Sequence, residues 1–592
     1  MARHLKSGPF WPREFTGDNR FMTYTFSKIS RFVLPAMAAV AATAVWVTMA
    51  DNVASGRPGS SDIETSGLAA AFLSARHADA NTDTQRAVTY LDAALTIDPD
   101  NTDLLQENYF LAAQMGDFKA AVPKAKKAYE LLPRQGLAPV VLAVEHYKRK
   151  EYDQAWAYID KISGQSVNAF ALPMLRAWGA APTHTVEETL SELASMESYS
   201  DMEDLVHAMS GLLNEFYGKD QAALEHYEAL AVNSNERRIS MVRLVTGGYH
   251  RLGYTDKAAD LIARYQAVNG PSPTVESFAD PKSFSKDITP NEGMAEALFA
   301  GAEMLLRARP NDYRAQMAIA YAQAALYLDP GMIIARRFVG ITLAARSHYL
   351  ESNEILGAVK KSAPGYLESQ MQIAENFARM DRIEDALSTL KTVARSHSNW
   401  PEVHIAMGDL LRQQQNFEEA VDAYDAALKL YPENRAANWA AYYMRGIALE
   451  RSKKWDRAEE DFRKALELNP ENPGVLNYLG YSYLDRGENL PEARRLIEMA
   501  FEKNPTDGYI MDSLGWAMYV MGEYDNAVEH LEKAVEAAPA DATINEHLGD
   551  VYWQVGRTNE ARFQWERALT LDPEEDQRKA ILAKLERGLA RN

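Results

Sequence analysis

Between residues 401 and 573, small, bulky and polar positions recur with a single period. Glycines stand at Gly408, Gly446, Gly480, Gly515 and Gly549, spaced by 38, 34, 35 and 34 residues. An alanine follows each about a dozen residues later (Ala420, Ala458, Ala493, Ala527, Ala561), and a second alanine comes seven residues after that. Between the two lies a bulky residue: Tyr424, Phe462, Ile497, Leu531 or Trp565. A proline closes each unit, at Pro432, Pro470, Pro505, Pro539 and Pro573. The pattern predicts two antiparallel helices per unit. Glycine and alanine let the helices cross closely, and the bulky residue fills the space beside them. Proline, lacking an N–H and fixed in φ, ends the second helix. Units that stack in this way form an α-solenoid, so the expected fold is all-α, a right-handed superhelix of helix-turn-helix repeats.

Outside that stretch the pattern weakens by degrees. Residues 66–270 read as an N-terminal array, clear at Tyr109, Gly116, Phe118, Ala121, Ala128 and Pro133 and degenerate after about residue 164. The segment 271–290, with Pro271, Pro273, Pro281 and Pro290, reads as a loop or hinge. Divergent repeats are expected over 291–400, beginning with a long pair around Met294–Pro330. After the five regular repeats of 401–573, residues 574–592 read as a helix that caps the open end of the solenoid.

The N-terminus is different in kind. Phe32–Ala50 is a run of 19 uncharged, mostly apolar residues behind Lys28 and Arg31, followed by a polar linker over 51–65. Residues 1–50 are therefore expected to be a signal peptide or an N-terminal membrane anchor, with Met22 as an alternative start. Cleavage after Ala50 and retention as an anchor both remain open. The corresponding localisation is the periplasm, or the inner membrane facing it, ahead of the cytoplasm.

A net charge of −20 disfavours nucleic acid as the main partner, because phosphate binding needs clustered Lys and Arg. The absence of cysteine excludes disulfides, thiolate zinc sites and cysteine nucleophiles. The twelve histidines are scattered, and none forms a helix-borne metal pair; His404 and His547 sit on first helices of repeats. No phosphate-cradling loop or serine elbow is present. The reading is therefore non-enzymatic, with no catalytic residue, cofactor or metal.

The order L-G-x-x-Y, then alanine, then proline at a period near 34 resembles tetratricopeptide repeats (TPRs). The resemblance implies that the first helix of each pair lines a concave groove. Its groove-facing positions here are Asp409, Arg412, Tyr443, Arg451, Asn477, Tyr481, Asp485, Tyr509, Asp512, Trp516, Tyr519, Glu546, Asp550 and Trp553. Residues 501–550 hold eleven acidic and two basic side chains. Such a row suits proteins or peptides that present basic and apolar segments. Val475–Leu569, notably DSLGW at 512–516 and HLGDVYW at 547–553, further resembles a large envelope-directed TPR family of alphaproteobacteria. Arg445, where the generic repeat has leucine, agrees with that family. The first 400 residues resemble it loosely. The resemblance implies a scaffold or adaptor of the bacterial cell envelope, exported or membrane-tethered. The alternatives are a chaperone-like holder of exported proteins and an accessory subunit of a polysaccharide or protein export system.

Overall fold

The computed structural model describes residues 67–133, 136–162, 168–196, 202–232, 238–307, 311–431 and 436–589. Residues 1–50, the linker 51–65, Pro432 and the expected boundary at 164 lie outside the described residues. Among those described there are thirty α-helices and no strand, and no helix is long and apolar enough to cross a membrane. Short polar side chains start many helices. Asn101, Asp117, Asn472, Asp507 and Asp541 each accept a backbone N–H of the first turn, and Thr185 with Glu188 forms a capping box. Two compact units divide between Leu390 and Lys391, inside the helix Ile383–Ser396.

In the unit that begins at Lys391, the helix pairs are Pro401–Gln413 with Phe417–Leu430, Trp439–Arg451 with Trp455–Leu468, and Pro473–Arg486 with Leu490–Lys503. Gly508–Val520 with Tyr524–Ala537 and Ala542–Gln554 with Thr558–Leu569 complete the series. Each repeat glycine lies against the bulky residue of its partner helix. A Cβ on Gly446 would sit 2.7 Å from the Phe462 ring, and one on Gly549 would sit 2.4 Å from Trp565. Both alanines of every repeat are fully buried. Three of the second helices end two residues before Pro470, Pro505 and Pro539, and their caps Asn469, Asn504 and Ala538 leave the helical region as a residue before proline must.

The two irregular spacings have local causes. Most of these repeats turn between their helices through one left-handed residue, such as Gln415, Lys453 or Gly522. The third uses two, Gly487 and Asn489, and this adds one residue before Ala493. The four extra residues between Gly408 and Gly446 fall in the connection containing the 3-10 turn Ala436–Asn438.

The unit over 67–390 is built otherwise. Helix pairs run from Leu68–Ala80 with Thr84–Ile97 to Ile239–Arg251 with Thr255–Asn269. The long pair expected as another rung of the ladder, Pro290–Arg307 and Asp312–Leu328, is instead an inner hairpin. It packs against the successive first helices Thr102–Gln114, Ala138–Lys148, Leu172–Ala180 and Glu203–Phe216. The reason is in its composition: every residue from Met317 to Leu326 is buried, and a helix that is apolar all round must be enclosed. Tyr321 donates to Asn168 Oδ1 at 2.9 Å, Tyr327 stacks on Phe118 at 4.5 Å, and Gly293 lies flat under Trp178. One continuous core therefore runs from Ala71 to Leu343.

The segment 271–290, expected as a hinge, lies inside this unit. It holds the short helix Pro273–Glu276 and two 3-10 turns. Thr274, Val275 and Phe278 are buried, and Thr274 N–H donates to Glu368 at 2.7 Å. Pro273 and Pro281 start short helical turns, and Pro290 starts the long helix Pro290–Arg307.

Candidate functional site

The first helices of the regular repeats carry the predicted row, and the structure sorts its members into three groups. The first group is tied to the repeat itself. Tyr424 donates to Asp409 Oδ1 at 2.7 Å, and Arg412 Nε donates to the same phenol at 3.3 Å. Trp565 Nε1 donates to Asp550 Oδ1 at 2.8 Å in the same relation. An acid one residue after the glycine thus pairs with a bulky residue that has a polar tip. Where the bulky residue is Ile497 or Leu531, the same position holds an aromatic, Tyr481 or Trp516. Tyr443 and Asn477 are also buried; the Tyr443 ring packs edge-on to Tyr478 at 5.9 Å, and Arg451 lies 3.5 Å from Glu450.

The second group is covered by the C-terminal helix Glu575–Arg587, and its assignment to an open groove is corrected accordingly. Lys584 Nζ lies 2.6 Å from both Glu546 Oε1 and Asp550 Oδ2. Gln577 donates to Glu546 at 2.8 Å, and Trp553 Nε1 donates to the Leu589 carbonyl at 2.7 Å over Gly588. The helix takes the place a sixth first helix would have, one period beyond Gly549, and buries Ile581 completely. Glu546, Asp550 and Trp553 are therefore seam residues. Burial pushes the Asp550 carboxyl up, against the pull of Lys584.

What remains is a short row across the third and fourth repeats. Trp516 stacks on Tyr519 at 4.6 Å and on His547 at 3.9 Å, with the rings within 18° and 13° of parallel. His547 Nδ1 is 2.9 Å from Asp512 Oδ1, and both residues are buried. Burial opposes the charged imidazole, but Asp512, with Glu546 and Asp550 behind it, raises the His547 pKa above the ordinary value. Tyr481 is half-buried, Asp485 is exposed, and Tyr509 flanks the row. Burial, followed by the carboxylates of Asp512, Asp485, Glu546 and Asp541, pushes the Tyr481 phenol well above its usual range. Four carboxylates from three repeats thus add to the negative field at the Tyr481 phenol. No group of three or more His, Asp or Glu among the described residues could hold a metal.

Sequence reasoning did not foresee the Asp512–His547 pair or the contribution of Asp541. The signal was a spacing of 35 residues, one repeat, between an acid and a histidine on successive first helices. Arg445 proves to be a seam residue as well. It donates to Asp425 at 2.5 Å and forks onto Asp461 at 2.7 Å, joining the second helices of two neighbouring repeats.

The fold and this packing define an α-solenoid whose regular part carries acidic and aromatic side chains on its first helices. Residues 371–435, 405–473, 443–507 and 513–576 match the family description "Tetratricopeptide repeat", so the chain carries tetratricopeptide repeats over that stretch. A TPR repeat-containing protein of Pseudomonas aeruginosa (PA4667) is 29% identical over 171 residues, which cover 29% of this chain and 28% of that protein. The human protein O-mannosyl-transferase TMTC1 is 28% identical over 166 residues, 28% of this chain and 19% of its own length. The matches thus span less than a third of these relatives. Among solved structures, the APC/C hetero-tetramer Cut9–Hcn1 aligns over 89% of this chain and 97% of its own at 14% identity and a TM-score of 0.37. Yeast Tom70 aligns over 88% and 95% at 16% identity and a TM-score of 0.29. TPR arrays are protein–protein interaction scaffolds, and they bind protein or peptide partners.

Proposed function

We propose that this protein is a scaffold of the bacterial cell envelope that holds a partner protein by a basic and apolar segment laid along Tyr481, Asp485, Trp516 and Tyr519. The observation that carries the reading is the Trp516–Tyr519 stack on one repeat, with half-buried Tyr481 and exposed Asp485 on the repeat before it. Aromatic faces supply contact area and take cations, and carboxylates steer and register a basic side chain. The N-terminal apolar run of 19 residues supports export, and the resemblance of Val475–Leu569 to an envelope-directed family supports that location.

The test is crosslinked affinity capture from the native host with full-length protein, comparing wild type with Asp485→Lys and with the pair Tyr481→Ala and Trp516→Ala. Both variants should lose the same partner while helicity and melting stay as in wild type. Undiminished capture by folded variants would place the partner elsewhere on the chain. Fractionation and sequencing of the mature N-terminus test the location, and a cytoplasmic protein with an intact N-terminus would end the envelope reading.

A further inference from the structure

The helix pair Glu203–Phe216 and Asp220–Val232 of the first unit carries two histidines face to face. His207 Nδ1 lies 2.9 Å from His226 Nδ1, the ring centroids are 5.2 Å apart, and both side chains are half-buried. In such a contact one nitrogen donates and the other accepts, so one imidazole must be neutral. A proton on both would remove the acceptor and set two cations at hydrogen-bond distance. The helices cannot step apart cheaply at this point. Gly211, one turn after His207, lies against the Tyr227 ring, where a Cβ would be 2.7 Å away, and Gly248 lies against the other edge of that ring. Tyr227, next to His226, donates to Glu215 Oε2 at 2.7 Å.

Little beside the pair offsets a second charge. Glu203 stands 4.0 Å from His207 Nε2, the nitrogen turned away from His226, and its side chain is 75% exposed. Glu225, beside His226 in the chain, is exposed as well. The neighbouring charges face other partners: Glu228 is held by Lys257, Arg251 by Glu215, Arg243 by Glu296, Glu303 by Arg238 and Glu187 by Lys219. His250 meets the Phe278 carbonyl at 2.9 Å. Burial and the nearby His207 hold the His226 pKa below its ordinary value, against the pull of Glu225.

We propose that the His207–His226 contact is an acid-sensitive catch, which holds this helix pair shut while one imidazole is neutral and opens its seam at Tyr227 when both are charged. The catch is independent of the concave row of the regular repeats. Because folding lowers the proton affinity of His226, the advantage of the closed pair is complete above pH ~6.5 and is lost as pH falls below it, by up to about tenfold in the opening equilibrium per pH unit. The regular repeats respond in the opposite sense, since Asp512 favours the charged form of His547.

Hydrogen exchange of the full-length protein at about pH 7.5 and about pH 5.0, with each rate divided by the intrinsic rate at that pH, tests the catch. Protection over 203–232 should fall at least about threefold in acid, and protection over 542–554 should not fall. His207→Asn and His226→Asn each leave a side chain that donates or accepts in place of Nδ1 without taking up a proton. Each should therefore hold protection over 203–232 constant across that range. Unchanged protection in wild type overturns the proposal. So does an equal fall in the folded variants, or a fall spread evenly from 67 to 390, the mark of general acid unfolding.

Discussion

Ala138–Lys148 in one unit and Pro401–Gln413 in the other hold the same place, the first helix of a repeat, and they have opposite characters. Ala138 through Val144 are all buried, as is Tyr147. In Pro401–Gln413 only Pro401, Val403, Gly408, Leu410 and Leu411 are. The difference is what lies inside the curve. The first unit wraps its concave side around its own hairpin, so its first helices are apolar on two faces and the small-residue seams lose their regularity. In the second, among the described residues, no helix crosses Pro401–Gln413, Trp439–Arg451, Pro473–Arg486 and Gly508–Val520 in that way, and polar and aromatic side chains occupy the inner positions. Repeat regularity is thus kept where the first helices pack only on their neighbours, and it is lost where they also enclose the hairpin.

The comparison can be broken at its strongest point first. Trp178 is completely buried against Gly293 of the hairpin, so Trp178→Ala should cost about 3–5 kcal/mol. Because one core spans that unit, hydrogen exchange should speed up together over 102–328; a change confined to Leu172–Ala180 would mean the hairpin is not integral. Lys584→Ala leaves Glu546 and Asp550 buried without their cation and should cost about 3 kcal/mol. Here a solenoid responds locally, so exchange should rise over 542–589 and stay unchanged from 401 to 500. Gly446→Ala drives a methyl into Phe462 and should cost about 1–3 kcal/mol in denaturant unfolding, part of it recovered by adding Phe462→Leu.

The smallest effect is electrostatic. The His547 pKa lies above its unfolded value of about 6.5, so the folded state binds the extra proton. Its stabilisation is complete below pH ~6.5 and falls as pH rises toward the folded pKa, with a slope of at most about 1.4 kcal/mol per pH unit. NMR titration of His547 checks the shift, and Asp512→Asn should flatten that part of the stability profile. An unchanged profile would mean Asp512 does not hold the charged imidazole.

The helix pairs and their seams over 401–573 were legible because they are set by residues within one period of each other: glycine under a bulky side chain, buried alanines, proline after the last turn. The pairing of Asp409 with Tyr424 and of Asp550 with Trp565 went unread, and both acids were placed on the groove, although each stands 15 residues before a bulky residue with a polar tip. The C-terminal cap was readable as an amphipathic helix. That it would take Glu546, Asp550 and Trp553 out of the groove was not, because Lys584 meets the two acids across 38 and 34 residues and Leu589 meets Trp553 across 36, in a geometry fixed only by stacking.

By itself the sequence determined an all-α solenoid, the five regular repeats with their glycine, alanine and proline positions, and the acidic, aromatic character of their inner helices. Tertiary structure alone decided which inner faces are filled. The long apolar helix Asp312–Leu328 announces that it must be enclosed, yet its periodicity is that of any buried helix and does not say by what. The contacts that enclose it, such as Tyr321 on Asn168 across 153 residues, depend on how the whole array curves, a sum of small rotations at every seam. The same sum decides that Trp516 and Asp512 meet His547 of the next repeat.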